Sequence, residues 1–406
     1  MRTASLLSAA LLAAVGDIAV HACSHHGHHG NDHDRTPEEL AELERKWGFE
    51  WAFSGIGSFA HLQYVKCLTT PQELFDIGII GVPFDTATSY RPGARFGPRA
   101  IRQASSRQTS FRGFNPRANI NPYQSWARIV DCGDVPVSPV DNAVALAQMT
   151  AAFAELGQRR ASSTLLRSGK PKLITLGGDH SLALPALRAL REVYGRPLRV
   201  LHFDAHLDTW HPDKYPTAWP SEQAHFNHGS MFWLAGNEGL LSNSSVSVHA
   251  GLRTRLSGDG WDDFDDDTAQ GWVRFSADDI DDMGTSGIVK AILESFATED
   301  EDGGDPIYLS VDIDVLDPAF APGTGTPEPG GWTTRELIRI LRGIESLNIV
   351  GADVVEVAPA YQGAGEETAL AAAQVVYEIL SSMVKKGVQE LGRVSGGGYG
   401  NAHDEL

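Results

Sequence analysis

From about residue 74 onward, short apolar runs alternate with segments of helical periodicity. No other feature of the chain constrains its fold so tightly. "LFDIGIIGVP" reads as a buried strand, and "ARIVDCGDVPV", "KLITLGG", "LRVLHFD", "SVSVHAGL", "GWVRFS", "PIYLSVDID" and "IVGADVVEVAP" read as further strands. "PRAIRQAS" opens a helix after the glycine-rich "RPGARFGP", and "DNAVALAQMTAAFAELGQ" is a helix capped by Asp141. "HSLALPALRALREVYG" is a helix stopped by Gly195. "SGIVKAILESF", "TTRELIRILRGI" and "EETALAAAQVVYEILSSMVKK" complete the series. The pattern predicts one α/β domain with a mainly parallel sheet of about eight strands, covered by helices on both faces. No internal repeat or convincing domain boundary interrupts it.

The strand ends carry the chemistry. In such sheets ligands bind outside the carboxyl ends of the strands. Here "KLITLGGDH" ends in Asp179 and His180, "LRVLHFDAHLD" in Asp204, His206 and Asp208, and "YLSVDIDVLD" in Asp312 and Asp314, while "DVVEVAP" delivers Glu356. A spacing of two on extended backbone points Asp204, His206 and Asp208 to one face, and likewise Asp312 with Asp314. Carboxylates gathered this closely repel one another, and burying an unpaired charge costs several kcal/mol. A divalent metal offsets them. The six ligands His180, Asp204, His206, Asp208, Asp312 and Asp314 are too many for one tetrahedral zinc. Shared carboxylates suit a pair of ions about 3.5–4 Å apart. Oxygen-rich ligation with a few imidazoles points to Mn²⁺, two per chain. His202, two residues before Asp204, reads as a satisfied polar residue and stays outside the set.

At these residues the chain resembles the ureohydrolase family of arginases, agmatinases and their relatives. The resemblance rests on "GGDHS" at 177–181, "DAHLD" at 204–208, "SVDIDVLDP" at 310–318, "APGTGTPEPGG" at 321–331 and "EVAP" at 356–359. It covers about residues 70–390. It implies an arginase-like three-layer α/β/α sandwich, a dimanganese centre, and a homo-trimer or homo-hexamer. By that resemblance one metal takes His180, Asp204, Asp208 and Asp312, and the other His206, Asp204, Asp312 and Asp314. "TSYRPGARFGPRAIR" at 88–102 and "VVEVAPAY" at 354–361 look most like the agmatinase branch, although Gln362 stands where many agmatinases carry Asp. The implied reaction is hydrolysis of a small cationic guanidino compound to urea and an amine, with water activated between the metals as nucleophile. His228, in "FNHGSMF", is the expected proton shuttle, with His225 in reserve, and Glu356 is expected to orient the guanidinium. Agmatine and 4-guanidinobutyrate compete as substrates. A lumenal metal-binding protein without turnover is the non-catalytic alternative.

Composition bounds the partners. A net charge of -19 and a pI near 5.1 argue against nucleic acid and against a polybasic membrane patch. Residues 1–22 read as a signal peptide, with Val20, His21 and Ala22 as a cleavage candidate before Cys23. The last four residues, "HDEL", predict retention in the endoplasmic reticulum lumen through a retrieval receptor, with secretion as the alternative. No membrane insertion is expected once the signal is removed. Residues 23–70 read as a His-rich tether and lead-in, 71–390 as the catalytic domain, and 391–406 as a tail. His25, His26, His28 and His29 read as part of a flexible tether, with metal binding as the alternative. Cys67 and Cys132 are the expected disulfide pair, and Asn243 in "SNSS" is a feasible glycosylation acceptor. Arg91, Arg95 and Arg99 either touch an anionic substrate tail or hold their loop or a subunit contact. "GDGWDDFDDDTAQ" reads as a solvated turn and helix start.

Overall fold

Each apolar run becomes a strand, and all of them join one sheet. The computed structural model describes residues 35–166, 168–215, 221–297 and 306–394. The signal segment, His25 to His29 and the C-terminal HDEL therefore lie outside the described residues. The strands are β1 (Ile77–Val82), β2 (Ile129–Asp134), β3 (Lys172–Gly177), β4 (Arg199–Phe203), β5 (Ser247–Leu252), β6 (Trp272–Ser276), β7 (Ile307–Asp312) and β8 (Ile349–Val355). They pair in the order β2-β1-β3-β8-β7-β4-β5-β6, and every pairing is parallel.

Among the described residues the helices are α1 (Pro37–Trp47), α2 (Gly97–Ala104), α3 (Asn142–Gly157), α4 (Ala183–Tyr194), α5 (Met231–Asn237), α6 (Asp262–Ala269), α7 (Asp279–Ser295), α8 (Thr334–Gly343) and α9 (Glu367–Val394). The chain divides into two units, residues 1–50 and 51–406. The described part of the first is α1 and its flanks, with Thr36 and Glu39 forming a reciprocal capping box.

In the second unit the period of two along each strand sends side chains alternately to two cores. Ile77, Ile79, Leu201, Phe203, Leu309 and Val311 pack with Ile101, Ile292, Ile340 and Leu380 from α2, α7, α8 and α9. Ile80, Val82, Val200 and Val355 pack with Met149, Leu187 and Phe232 from α3, α4 and α5. Each such fully buried side chain contributes about 1.5–3 kcal/mol by leaving water. The result is the three-layer α/β/α sandwich expected from the sequence.

Local signals work as read. The Asp141 carboxylate accepts the Val144 N–H at 3.0 Å, and Gly195 takes the left-handed conformation (φ 66) that ends α4. Residues 51–70 cover the β2 edge: Phe59 and Cys67 are buried, the Val65 N–H donates to the Asp131 carbonyl, and Cys67 is disulfide-bonded to Cys132 with Cα atoms 4.9 Å apart.

Two expectations are corrected. α7 starts at Asp279, before the periodic "SGIVKAILESF", because Gly284 (φ 65) bends it and hides the first turns from a periodicity reading. The acid-rich "GDGWDDFDDDTAQ" is not solvated throughout. α6 turns Asp263 and Asp267 inward: Trp210 and the Ser257 N–H donate to Asp263 Oδ2 and Lys214 pairs with its Oδ1, while Thr209, His249 and Arg274 meet Asp267.

Candidate metal centre and active site

The strands β3, β8, β7 and β4 are consecutive in the sheet. Because all run parallel, the ends that carry His180, Glu356, Asp312 with Asp314, and Asp204 with Asp208 meet at one edge. His180 Nδ1 lies 3.1 Å from Asp204 Oδ2, 3.0 Å from Asp208 Oδ2 and 3.4 Å from Asp312 Oδ2. His206 Nδ1 lies 3.2 Å from Asp204 Oδ1 and 3.1 Å from Asp314 Oδ2. Asp204 thus turns one oxygen to each imidazole, as a bridging carboxylate must. All six residues proposed from strand-end spacing come together, and all are buried except half-buried His206.

Their chemistry fits metal. His180 donates its Nε2–H to Ser310 Oγ at 2.7 Å, which leaves the lone pair on Nδ1. That buried Nδ1 has no hydrogen-bond partner. A lone pair facing three carboxylate oxygens is tolerable only around a cation or a proton. Ligand atoms at right angles on an ion with bonds of about 2.1 Å stand about 3 Å apart, close to the spacing found. Ser310 Oγ–H in turn donates to Asp353 Oδ1 at 2.8 Å, and Tyr308 O–H donates to Asp353 Oδ2 at 2.5 Å, so the ring orientation is fixed from behind.

Without a cation, protons take its place. Burial, then the charges of Asp314 and Asp204, push Asp312 well above the usual carboxylate range. Burial and Asp204 push Asp314 up to about 6 and raise Asp208. Burial opposes the charging of His180 and His206, yet the surrounding carboxylates draw both well above the ordinary imidazole value. Asp204 runs the other way: burial raises it, but His202, His180 and His206 together hold it well below its usual value.

Beside this cluster, Glu356 Oε1 accepts the His180 N–H at 3.0 Å and the His228 Nδ1–H at 3.0 Å. Its Oε2 is buried with no partner. The opposite edge of His228 meets Ser89, whose N–H and hydroxyl lie 3.0 and 2.8 Å from Nε2. Burial disfavours the charged ring, but Glu356 outweighs it and lifts His228 to about 9, while the Ser89 N–H aimed at Nε2 favours the neutral form. Glu356 (φ 60) and Asp208 (φ 56) both occupy the left-handed region that non-glycine residues avoid. Such strain collects at functional sites.

Other candidates sort themselves. His225 is exposed, away from the buried cluster. Arg95 holds its loop by pairing with Asp85, which also accepts the Gly93 N–H at 2.7 Å. Arg91 stacks between Tyr90 and Tyr361, and Arg99 is exposed. Sequence reading missed Ser89, Ser310, Tyr308 and Asp353, and it set aside His202, which donates to Asp204 Oδ2 at 2.8 Å. The available signal was a lone polar residue inside an apolar run, as with Ser310 in "IYLSVD" and Asp353 in "IVGADVV".

Comparison with known proteins decides the family. The sequence model described as "Arginase family" matches residues 75–381. The chain belongs to the arginase family. A Schizosaccharomyces pombe protein named "Putative agmatinase 3" is 48% identical over 358 residues, covering 86% of this chain and 85% of the relative. The "Agmatinase" of Chromobacterium violaceum is 38% identical over 340 residues, covering 84% and 92%. Among solved structures, the proclavaminate amidino hydrolase from Streptomyces clavuligerus superposes with a TM-score of 0.69 at 33% identity, covering 83% of this chain and 100% of that one. This arginase-family chain is an agmatinase-like ureohydrolase, and its strand ends gather two groups of side chains able to hold metal, His180, His202, Asp204 and Asp208 in one and Asp204, His206 and Asp314 in the other.

Proposed function

We propose that the chain hydrolyses the guanidino group of agmatine, or of a close relative, to urea and an amine at a pair of Mn²⁺ ions. His180, Asp204, Asp208 and Asp312 would hold one ion, and His206, Asp204, Asp312 and Asp314 the other. When bound, such ions supply Lewis acidity and a water acidified toward neutral pH. The single observation that carries the reading is the unpartnered Oε2 of Glu356, buried beside the carboxylate cluster. A carboxylate oxygen without a donor, next to a metal-type site, suits a planar cation that brings its own N–H groups. Glu356 orients that cation and keeps its carbon in place for attack. His228, suspended between Glu356 and Ser89, is placed to hold a proton and pass it to the departing amine.

One observation favours 4-guanidinobutyrate as a second reading. A side chain at Gly325 would meet the Arg91 carbonyl oxygen at 3.0 Å and Glu356 Oε2 at 3.2 Å, so the Arg91 backbone runs beside the Glu356 carboxylate. The Arg91 guanidinium, stacked 5.2 Å over the rings of Tyr90 and Tyr361, would suit an anionic tail. The test is urea release by Mn²⁺-loaded protein from agmatine, 4-guanidinobutyrate and arginine. The proposal requires agmatine to lead; a lead for 4-guanidinobutyrate selects the second reading, and no urea from any of them sinks both.

We also propose that the protein works in the lumen of the endoplasmic reticulum. The Cys67–Cys132 disulfide and the exposed position of Asn243 support passage through an oxidising, glycosylating compartment. An endoglycosidase-sensitive mobility shift lost in Asn243→Gln, with retention lost on deleting the HDEL sequence, is the expected result.

A further inference from the structure

His202 and His249 are register partners on the adjacent parallel strands β4 and β5, and neither is exposed. Their Nδ1 atoms are 2.7 Å apart. Each ring spends its other nitrogen on a carboxylate: His202 Nε2–H donates to Asp204 Oδ2 at 2.8 Å, and His249 Nε2–H donates to Asp267 Oδ1 at 3.1 Å. At that distance one Nδ1 donates to the other. The His249 ring is held by Asp267 and stacks on Trp272 at 4.0 Å and 16°, whereas His202 meets that indole only edge-on at 6.4 Å, so the braced His249 ring is the donor. Asp267 is itself fixed by Thr209 Oγ1–H at 2.6 Å and by Arg274 at 2.6 Å.

We infer that His249, braced by Asp267 and Trp272, is a positioning residue for the bridging carboxylate of Asp204. It donates Nδ1–H to His202, fixes the His202 tautomer, and so aims the His202 Nε2–H at Asp204 Oδ2. That oxygen is the one that faces His180 at 3.1 Å. The line of contacts runs from α6 through two strands to the metal cluster, and without it Asp204 Oδ2 loses its donor, while Oδ1 keeps the His206 N–H at 2.6 Å. Partners behind a ligand of this kind are worth about 10–100-fold in metal affinity. The inference rests on the dinuclear metal reading proposed above.

The test is Mn²⁺ affinity, measured by chelator competition on full-length protein, for wild type, His249→Leu and His249→Asn. Asn keeps an N–H where Nδ1 stood; Leu fills space but donates nothing. The expected result is a loss of about tenfold or more for Leu and recovery of most of it in Asn, with KM for the guanidino substrate unchanged in both. A purely packing role predicts the opposite order, and that order, or wild-type affinity in the Leu variant, overturns the inference. Should the Leu variant fail to fold, Asp267→Asn gives the answer, since removing the charge behind His249 should weaken Mn²⁺ binding several-fold and unchanged binding overturns the inference. Wild-type protein that binds no Mn²⁺ would instead overturn the metal reading itself.

Discussion

His228 and Glu356 share a hydrogen bond of 3.0 Å, and the second oxygen of that carboxylate is buried without a donor. One residue thus holds the candidate proton carrier with one oxygen and keeps the other free. Replacing Glu356 by Gln removes the charge while keeping the shape. The expected outcome is a fall in kcat/KM of about 100-fold or more, with Mn²⁺ stoichiometry retained, read from urea release and metal analysis on the same samples. His228→Asn should lower kcat by a similar factor and leave metal binding alone. Normal turnover in either variant would remove that residue from the mechanism.

A second prediction concerns the support behind His180. Ser310→Ala removes the acceptor of the His180 Nε2–H and leaves that buried N–H unsatisfied, at a cost of about 1–3 kcal/mol. Asp353→Asn disturbs the same line one step further back. Both variants should bind Mn²⁺ about 10–100-fold more weakly by chelator competition, with a cooperative unfolding transition preserved.

The metal-free protein should be an acid-preferring molecule. Asp314 is raised to about 6 by burial and Asp204, and Asp179 to about 7 by burial and Glu356. Asp312, Asp208, His180 and His206 are raised as well. Groups whose folded pKa is raised bind more protons folded than unfolded, so their contribution is complete in acid and is lost as pH rises through the folded value. Asp204 is depressed, so its contribution disappears only below about pH 4. Scanning calorimetry of the metal-free chain should give a lower Tm at about pH 8 than at about pH 5, and Mn²⁺ should raise Tm far more at the higher pH. A metal-free Tm that climbs from pH 5 to pH 8 would mean that the carboxylates are not crowded as described.

Much of this was legible beforehand, for identifiable reasons. Ile77 to Val82 and Ile307 to Asp312 are buried along their whole length, so they read as apolar runs that cannot be confused with surface loops. The spacing of two marked Asp204, His206 and Asp208, and Asp312 with Asp314, as the right residues, but the extended backbone expected for them is not there: β4 ends at Phe203, Asp208 is left-handed (φ 56) and Ile313–Val315 is a 3-10 turn, so loop geometry brings them together. The supporting residues were hidden because they act across strands. Nothing in "GADVV" says that Asp353 lies beside Ser310, or in "SVHAGL" that His249 meets His202; strand order and register create those pairs. Asp267 was misread for a similar reason: an acid-rich helix shows its exposed majority, while the inward position is decided by Thr209, His249 and Arg274 from other segments.

The disulfide should matter to stability and not to chemistry. Cys67 and Cys132 are 65 residues apart in sequence, and their bond ties the lead-in segment to the edge strand β2, remote from β4 and β7 in the sheet. Restricting an unfolded loop of that size is worth about 2–5 kcal/mol. Cys132→Ser should lower the denaturant midpoint accordingly, while kcat and Mn²⁺ affinity stay at wild-type values.

The most direct measurement is the number of Mn²⁺ ions bound per folded, urea-releasing chain, determined by equilibrium dialysis with elemental analysis. The crowding of Asp204, Asp208, Asp312 and Asp314 around two imidazoles predicts two, falling sharply in Asp204→Ala because that residue faces both His180 and His206. Full activity with one ion or none per chain would contradict the account.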